Sequence, residues 1–218
     1  MKRCLILTGG KLSLAFAGSF LKKSKYEKVI AVDGGLEAAK ELGIIPDVIV
    51  GDFDTVHPEI LAYYRKMEHI VWEVHQPEKD DTDTELALKI IFQLYPEAEV
   101  TIFGAFGGRI DHMLSNIFLV SDPELAPFMR RICFRDKQNK MTYYPEGSHK
   151  VLPEPGMTYV SFLHEGHGEL TILGAKYELT SVNYFQKKIY SSNEFVDGPI
   201  QVLVPNGYVI VIQTKDRS

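Results

Sequence analysis

Along the first two-thirds of the chain, short β-branched runs alternate with stretches whose apolar residues recur at helical spacing. Residues 5–7, 29–32, 48–50, 70–74 and 100–103 read as strands. A helix carrying Leu12, Ala15, Phe16 and Phe20 follows the first strand. Residues 36–42 predict a short helix closed by Gly43, and a further helix opens near Pro58, a residue favoured at the first helical position. Thr82-Asp83-Thr84-Glu85 has the reciprocal capping pattern of a helix start and precedes the stripe Leu86, Ile90, Leu94. Residues 111–120 predict the last helix of this region. Strand–helix alternation of this kind implies a doubly wound, largely parallel sheet.

From about Met141 the texture changes. Alternating runs at 158–163, 169–173, 176–179, 200–204 and 208–213 lie between turns containing Gly, Pro and Asn. They predict a small antiparallel β-sandwich. The boundary is expected between residues 136 and 147, which divides the chain into residues 1–140 and 141–218.

Composition narrows this picture only modestly. A chain of 218 residues, 45% hydrophobic, can bury a full core without disulfides or structural metal. Its formal net charge of −5 speaks against a nucleic-acid surface, though not against nucleotides, since a divalent cation can join phosphates to carboxylates. The apolar run after Met1-Lys2-Arg3 stops at Thr8-Gly9-Gly10-Lys11, too short for a secretory signal, and no run is long enough to span a membrane. Cys4 and Cys133 sit in apolar runs and read as buried thiols of a reducing compartment, so a cytoplasmic location is expected.

The candidate chemistry lies where predicted strands end. Asp33-Gly34-Gly35 follows the second strand, Gly51-Asp52-Phe53-Asp54 the third, Lys79-Asp80-Asp81-Thr82-Asp83 the fourth, and Gly107-Gly108-Arg109-Ile110-Asp111-His112 the fifth. Ligands of open α/β sheets bind beyond the carboxyl ends of the strands, so four loops would send carboxylates into one crevice. On extended backbone Asp52 and Asp54 would share one face about 7 Å apart, within reach of one hard cation such as Mg²⁺, with Asp83 the third ligand. The glycines before Arg109 would let backbone N–H groups approach phosphate, and Arg109 could clamp it or simply pair with Asp111. Ser115 and Asn116 face either the ligand or solvent, and His112 reads best as structural.

Taken in order, these loops resemble the thiamine pyrophosphokinase family. The resemblance continues through Lys176-Tyr177-Glu178-Leu179 and Ser191-Ser192-Asn193-Glu194-Phe195 and covers nearly the whole chain. It implies Mg²⁺-dependent transfer of a diphosphoryl group from ATP to the hydroxyl of thiamine, releasing AMP. It further implies a homodimer with a thiamine cleft shared between subunits, an α/β catalytic domain that binds nucleotide and metal, and a β-sandwich that binds thiamine and dimerises. By the same resemblance, Asp52, Asp54 and Asp83 hold the metal and, with Arg109 and Asp111, form the catalytic set. Nucleotide contacts fall to Asp33, Gly34, Gly35, Thr82, Gly107, Gly108, Arg109, Asp111 and His112, and acceptor contacts to Asp80, Ser192, Asn193 and Phe195. Thr55 stands where the family has Ser, and residues 180–190 lack the glycine expected there. Two other readings are an aspartyl-nucleophile phosphohydrolase, since Asp52-Phe53-Asp54-Thr55-Val56 imitates its motif, and a non-catalytic nucleotide or thiamine sensor on the same fold.

Overall fold

The computed structural model describes residues 2–74 and 81–216, which form two compact units, Met1–Lys137 and Gln138–Ser218. In the first unit, β1 (Arg3–Leu7), β2 (Lys28–Val32), β3 (Val48–Gly51), β4 (Val71–Val74), β5 (Glu99–Phe103) and β6 (Ile132–Arg135) form a parallel sheet in the order β6-β5-β1-β2-β3-β4. The chain builds outward from β1 through β4, then returns to lay β5 on the other side of β1. The strand order therefore reverses between β1 and β5.

Among the described residues the α-helices connecting these strands are α1 (Leu14–Leu21), α2 (Gly35–Glu41), α3 (Pro58–Tyr64), α4 (Asp83–Leu94) and α5 (Ile110–Phe118). Leu5, Leu7, Ala31, Ile49 and Phe103 pack with Leu36, Ala39, Tyr64 and the half-buried Phe16 and Phe20 in one apolar cluster. The alternate residues Cys4, Ile6, Ile30, Val50 and Ile102 are buried as well. A strand covered on both faces has to be apolar at every position, and that accounts for the uninterrupted runs. Cys4 is fully buried and burial pushes its thiol up to about 11, whereas Cys133 is only half-buried, contrary to the sequence expectation.

The second unit is antiparallel. β7 (Asn139–Val151) pairs along its length with β11 (Ile200–Thr214), with a register shift between Val204 and Tyr208. The first part of β11 also pairs with β9 (Thr171–Leu173), and its last part with β8 (Tyr159–Glu165). β8 in turn pairs with β10 (Ile189–Asn193). Val202 and Val204 on one side of the shift, and Val209 and Val211 on the other, enter the same core with Phe162 and Ile172.

Several boundaries differ from the sequence reading. Residues 200–204 and 208–213 belong to one strand, because the Pro205-Asn206-Gly207 turn signal is absorbed as an irregularity inside it. Residues 139–147, expected at the boundary, lie within β7. Residues 176–179 form no strand; Leu179 makes a single bridge to Ile172.

Candidate functional site

A cleft of about 870 Å³ opens at the carboxyl ends of the first unit's strands, a volume that suits a small-molecule ligand. It lies at the strand-order reversal, where doubly wound sheets bind ligands. The loops after β1 and β5 meet there backbone to backbone. A Cβ on Gly10 would lie 2.0 Å from the Gly104 carbonyl oxygen, and Gly104, at φ +79°, would meet the Thr8 carbonyl oxygen at 2.2 Å. Any side chain would force these loops apart.

Asp33, Asp52, Asp54 and Asp83 all line this cleft. Asp33 sits at φ +43°, with its carboxylate against Gly51 and accepting a hydrogen bond from the Phe53 N–H at 3.4 Å. Burial first, and then the Asp83 carboxylate, push the Asp33 carboxyl up to about 7; Asp52 adds to the shift and the Phe53 N–H opposes it. The Asp33 and Asp83 side chains are hydrogen-bonded to each other.

The Asp52–Asp54 segment is not extended, as the spacing argument supposed. Phe53 adopts φ +64°, and the Asp54 N–H donates to Asp52 Oδ1 at 3.2 Å. The turn sends the Phe53 ring into the core, edge-on to Trp72 with centroids 5.4 Å apart. Packing of this one aromatic holds the left-handed backbone. Asp52 and Asp54 are presented by a strained turn.

The segment before α4 is fixed from two sides. Thr82 Oγ1 accepts from the Glu85 N–H at 3.3 Å, and Glu85 Oε2 accepts from the Thr82 N–H at 2.7 Å, completing the capping box. Asp81 is paired to Lys89 Nζ at 2.9 Å. Burial opposes the Lys89 charge, but its hydrogen bonds to Asp122, Glu124 and Asp81 hold the ammonium above the usual lysine range. Asp80 lies outside the described residues.

Gly107 and Gly108 adopt φ +83° and +80° in the loop before α5 and line the cleft with Arg109, Asp111 and His112. Arg109 forms a two-point pair with Asp111, Nε–Oδ1 3.2 Å and Nη2–Oδ2 2.6 Å. That pairing, with the His112 N–H, draws the Asp111 carboxyl down to about 2. Ser115 and Asn116 both line the cleft, and Asn116 is buried there, its Nδ2 donating to the Ala105 carbonyl. Gly35 is buried at the start of α2 and is not among the cleft-lining residues.

In the second unit Ser192 is exposed at φ +57°, with its N–H donating to Ser161 Oγ. Asn193 is buried, and its side chain is committed internally. Its Oδ1 accepts from the Tyr177 and Glu194 N–H groups, and its Nδ2 donates to the Tyr177 carbonyl. Phe195 packs against the unit's own core.

The sequence reading passed over Thr8, Gly9 and Gly10, which line the cleft. The signal was available: a glycine pair at the first strand-to-helix turn, where such sheets receive phosphate.

Fold and cleft define a doubly wound α/β unit followed by an antiparallel β unit, with polar groups gathered at the switch point as in nucleotide-handling enzymes. Residues 19–129 match the model of the thiamin pyrophosphokinase catalytic domain, and residues 148–209 that of the thiamin pyrophosphokinase vitamin B1 binding domain. The chain belongs to the thiamin pyrophosphokinase family. The thiamine pyrophosphokinase of Bacillus subtilis (strain 168) is 32% identical over 190 residues, 86% of this chain and 87% of that protein. A thiamin pyrophosphokinase family protein from Enterococcus faecalis superposes with a TM-score of 0.85 at 32% identity, covering 99% of this chain and all of that one. The crystal structure of yeast thiamin pyrophosphokinase, 15% identical with a TM-score of 0.75 over 98% of this chain and 86% of its own, shares the fold.

Proposed function

We propose that this protein transfers the terminal diphosphoryl group of ATP to the hydroxyl of thiamine, yielding thiamine diphosphate and AMP. Besides family membership, one observation carries the reading: carboxylates from four loops, with glycine turns after β1 and β5, converge on one cleft. The aspartyl-nucleophile alternative is not favoured, because both family-domain models match and the Bacillus subtilis relative is named a thiamine pyrophosphokinase.

The carboxylates fit Mg²⁺ of a particular kind. Among the described residues no three His, Cys, Asp or Glu side chains form a ready-made ion cage. The Asp83 and Asp52 carboxylates nevertheless lie close enough to Asp33 to oppose its ionisation, and every donor in the set is a hard oxygen. Such a set suits a hydrated cation arriving on nucleotide phosphates and held by one or two carboxylates. Asp52, Asp54 and Asp83 would hold it. A cation held by these carboxylates would supply charge neutralisation on the transferred phosphoryl oxygens.

The remaining chemistry falls to the chain. Backbone N–H groups of the Gly9–Gly10 and Gly107–Gly108 turns lie at the cleft and can donate to phosphate oxygens without reorganising. Arg109 is exposed in its pair with Asp111 and can share its fork with a phosphate. The thiamine hydroxyl attacks the β-phosphorus, AMP departs, and the hydroxyl proton passes to a cleft carboxylate or to water. Holding donor and acceptor in line is the main task.

We further propose a homodimer that binds thiamine around Ser192. In its support, Tyr177, Phe185, Ile189 and Val196 of the second unit are exposed apolar residues that a partner could cover. Cys4 and Cys133 are free thiols, which supports a cytoplasmic location. Among the described residues no helix is long and apolar enough to cross a membrane.

Incubation with ATP, Mg²⁺ and thiamine tests the activity. Equal amounts of AMP and thiamine diphosphate are expected. Free phosphate alone would indicate a hydrolase, and binding without turnover a sensor.

A further inference from the structure

We infer that Lys89 is a positioning residue for the nucleotide site, acting through Asp81 to hold the Thr82–Asp83 corner in place. The inference rests on the function proposed above. Lys89 lies two turns along α4 from the cleft, yet its ammonium gathers three carboxylates. Nζ lies 2.9 and 3.0 Å from the two Asp81 oxygens, 2.8 Å from Asp122 Oδ2 and 2.7 Å from Glu124 Oε2. An ammonium has three donors, so each arm is occupied. Asp122 is itself held, its Oδ1 accepting the Glu124 N–H at 2.8 Å. Lys89 therefore joins the chain before α4 to the chain after α5, and α4 and α5 are the two helices whose first residues line the cleft.

The consequence concerns Asp81 and its neighbours. Asp81, the residue before the N-cap, itself lines the cleft, and its carboxylate is drawn toward Lys89. The capping box fixes Thr82 from the other side. Between these two restraints Asp83 is left to meet Asp33 across the cleft. Without Lys89, the Asp81 carboxylate would be free to compete with Asp83 for any cation, and the corner would be pinned on one side only.

The test compares wild type with Lys89→Met, Lys89→Arg, Asp81→Asn, Glu124→Gln and the Lys89→Met/Asp81→Asn double variant. Affinity for the magnesium complex of α,β-methylene-ATP is measured by calorimetry, amide exchange at residues 82–85 by mass spectrometry, and turnover in parallel. Lys89→Met and Asp81→Asn should each weaken analogue binding at least about 5-fold and speed exchange at 82–85. The double variant should be no worse than the weaker single, as expected for two residues acting as one. Lys89→Arg and Glu124→Gln, the latter removing only the exposed arm, should stay within about 2-fold of wild type. If Lys89→Met does not fold, Asp81→Asn, which leaves two arms intact, must still show both effects. Additive losses, an effect of Glu124→Gln equal to that of Asp81→Asn, or unaltered analogue affinity despite faster exchange would each overturn the inference. Failure of wild type to bind the analogue would instead remove the functional reading, while unchanged exchange in Asp81→Asn would remove the positioning role alone.

Discussion

Replacing Asp33 with Asn should stabilise the protein at neutral pH while impairing its activity. The Asp33 carboxyl is raised from 3.8 to about 7 by burial and by the Asp83 and Asp52 carboxylates. Its protonated form therefore favours the folded state. Below about pH 4 the group is neutral folded or unfolded and carries no penalty. As pH rises toward 7 the unfolded chain ionises first, and stability falls until the folded group has also ionised. A shift of roughly three units corresponds to about 4 kcal/mol as an upper bound. Burial is its largest cause and carboxylate repulsion the next, and because Asp33 is only partly buried solvent and neighbours relax both, so about 2 kcal/mol is the working magnitude. Asn tolerates the left-handed backbone at this position and can still accept the Phe53 N–H. Trp72, the single tryptophan, packs on Phe53 beside the site and reports unfolding of the first unit by fluorescence. Urea titrations should show wild type and Asp33→Asn equally stable near pH 4, with the variant ahead by about 2 kcal/mol at pH 8. A pH-independent difference, or a less stable variant at pH 8, would refute the assignment.

Asn at position 52, 54 or 83 should lower turnover at least about 100-fold with unaltered circular dichroism, and near-normal rates at limiting Mg²⁺ would remove that residue from the metal set. Gly104→Ala should cost about 3 kcal/mol or more, since the new Cβ meets both a positive φ and the Thr8 carbonyl; a change under about 1 kcal/mol in urea denaturation would show that the two loops can part. Light scattering should give a dimer. After subunit exchange between inactive Asp54→Asn and Ser192→Tyr chains, about a quarter of wild-type activity should return, and none would return if each site lay within one subunit.

Much of the first unit was legible because its signals are local. The capping box at Thr82, Pro58 at a helix start and the uninterrupted apolar runs of buried parallel strands each need only a few neighbouring residues. The convergence of Asp33, Asp52 and Asp83 was readable from strand ends, since doubly wound topology brings such ends together. The Phe53 turn was not readable, because Trp72 and the core decide where that ring goes. Lys89 sits within an apolar stretch of helix, and its meaning comes from Asp122 and Glu124, more than thirty residues away. Asn193 looked like a ligand-facing polar residue, but Tyr177, sixteen positions earlier, uses every polar atom of its side chain. β10, with Ser191, Ser192 and Asn193 in five residues, lacks the apolar alternation of a strand and is held by its pairing with β8.

β11 pairs with β7, β8 and β9, and its two parts feed the same core. Until the ribosome has released residues 200–214, the earlier strands of the second unit have no common partner to assemble on. The first unit contains no such late strand, since its last, β6, ends at Arg135. The two halves of the chain should thus acquire structure in sequence during synthesis, with pairings of high sequence separation making the second slow. Nascent chains arrested before Ile200 should show a protease-resistant first unit followed by a segment still open to cleavage.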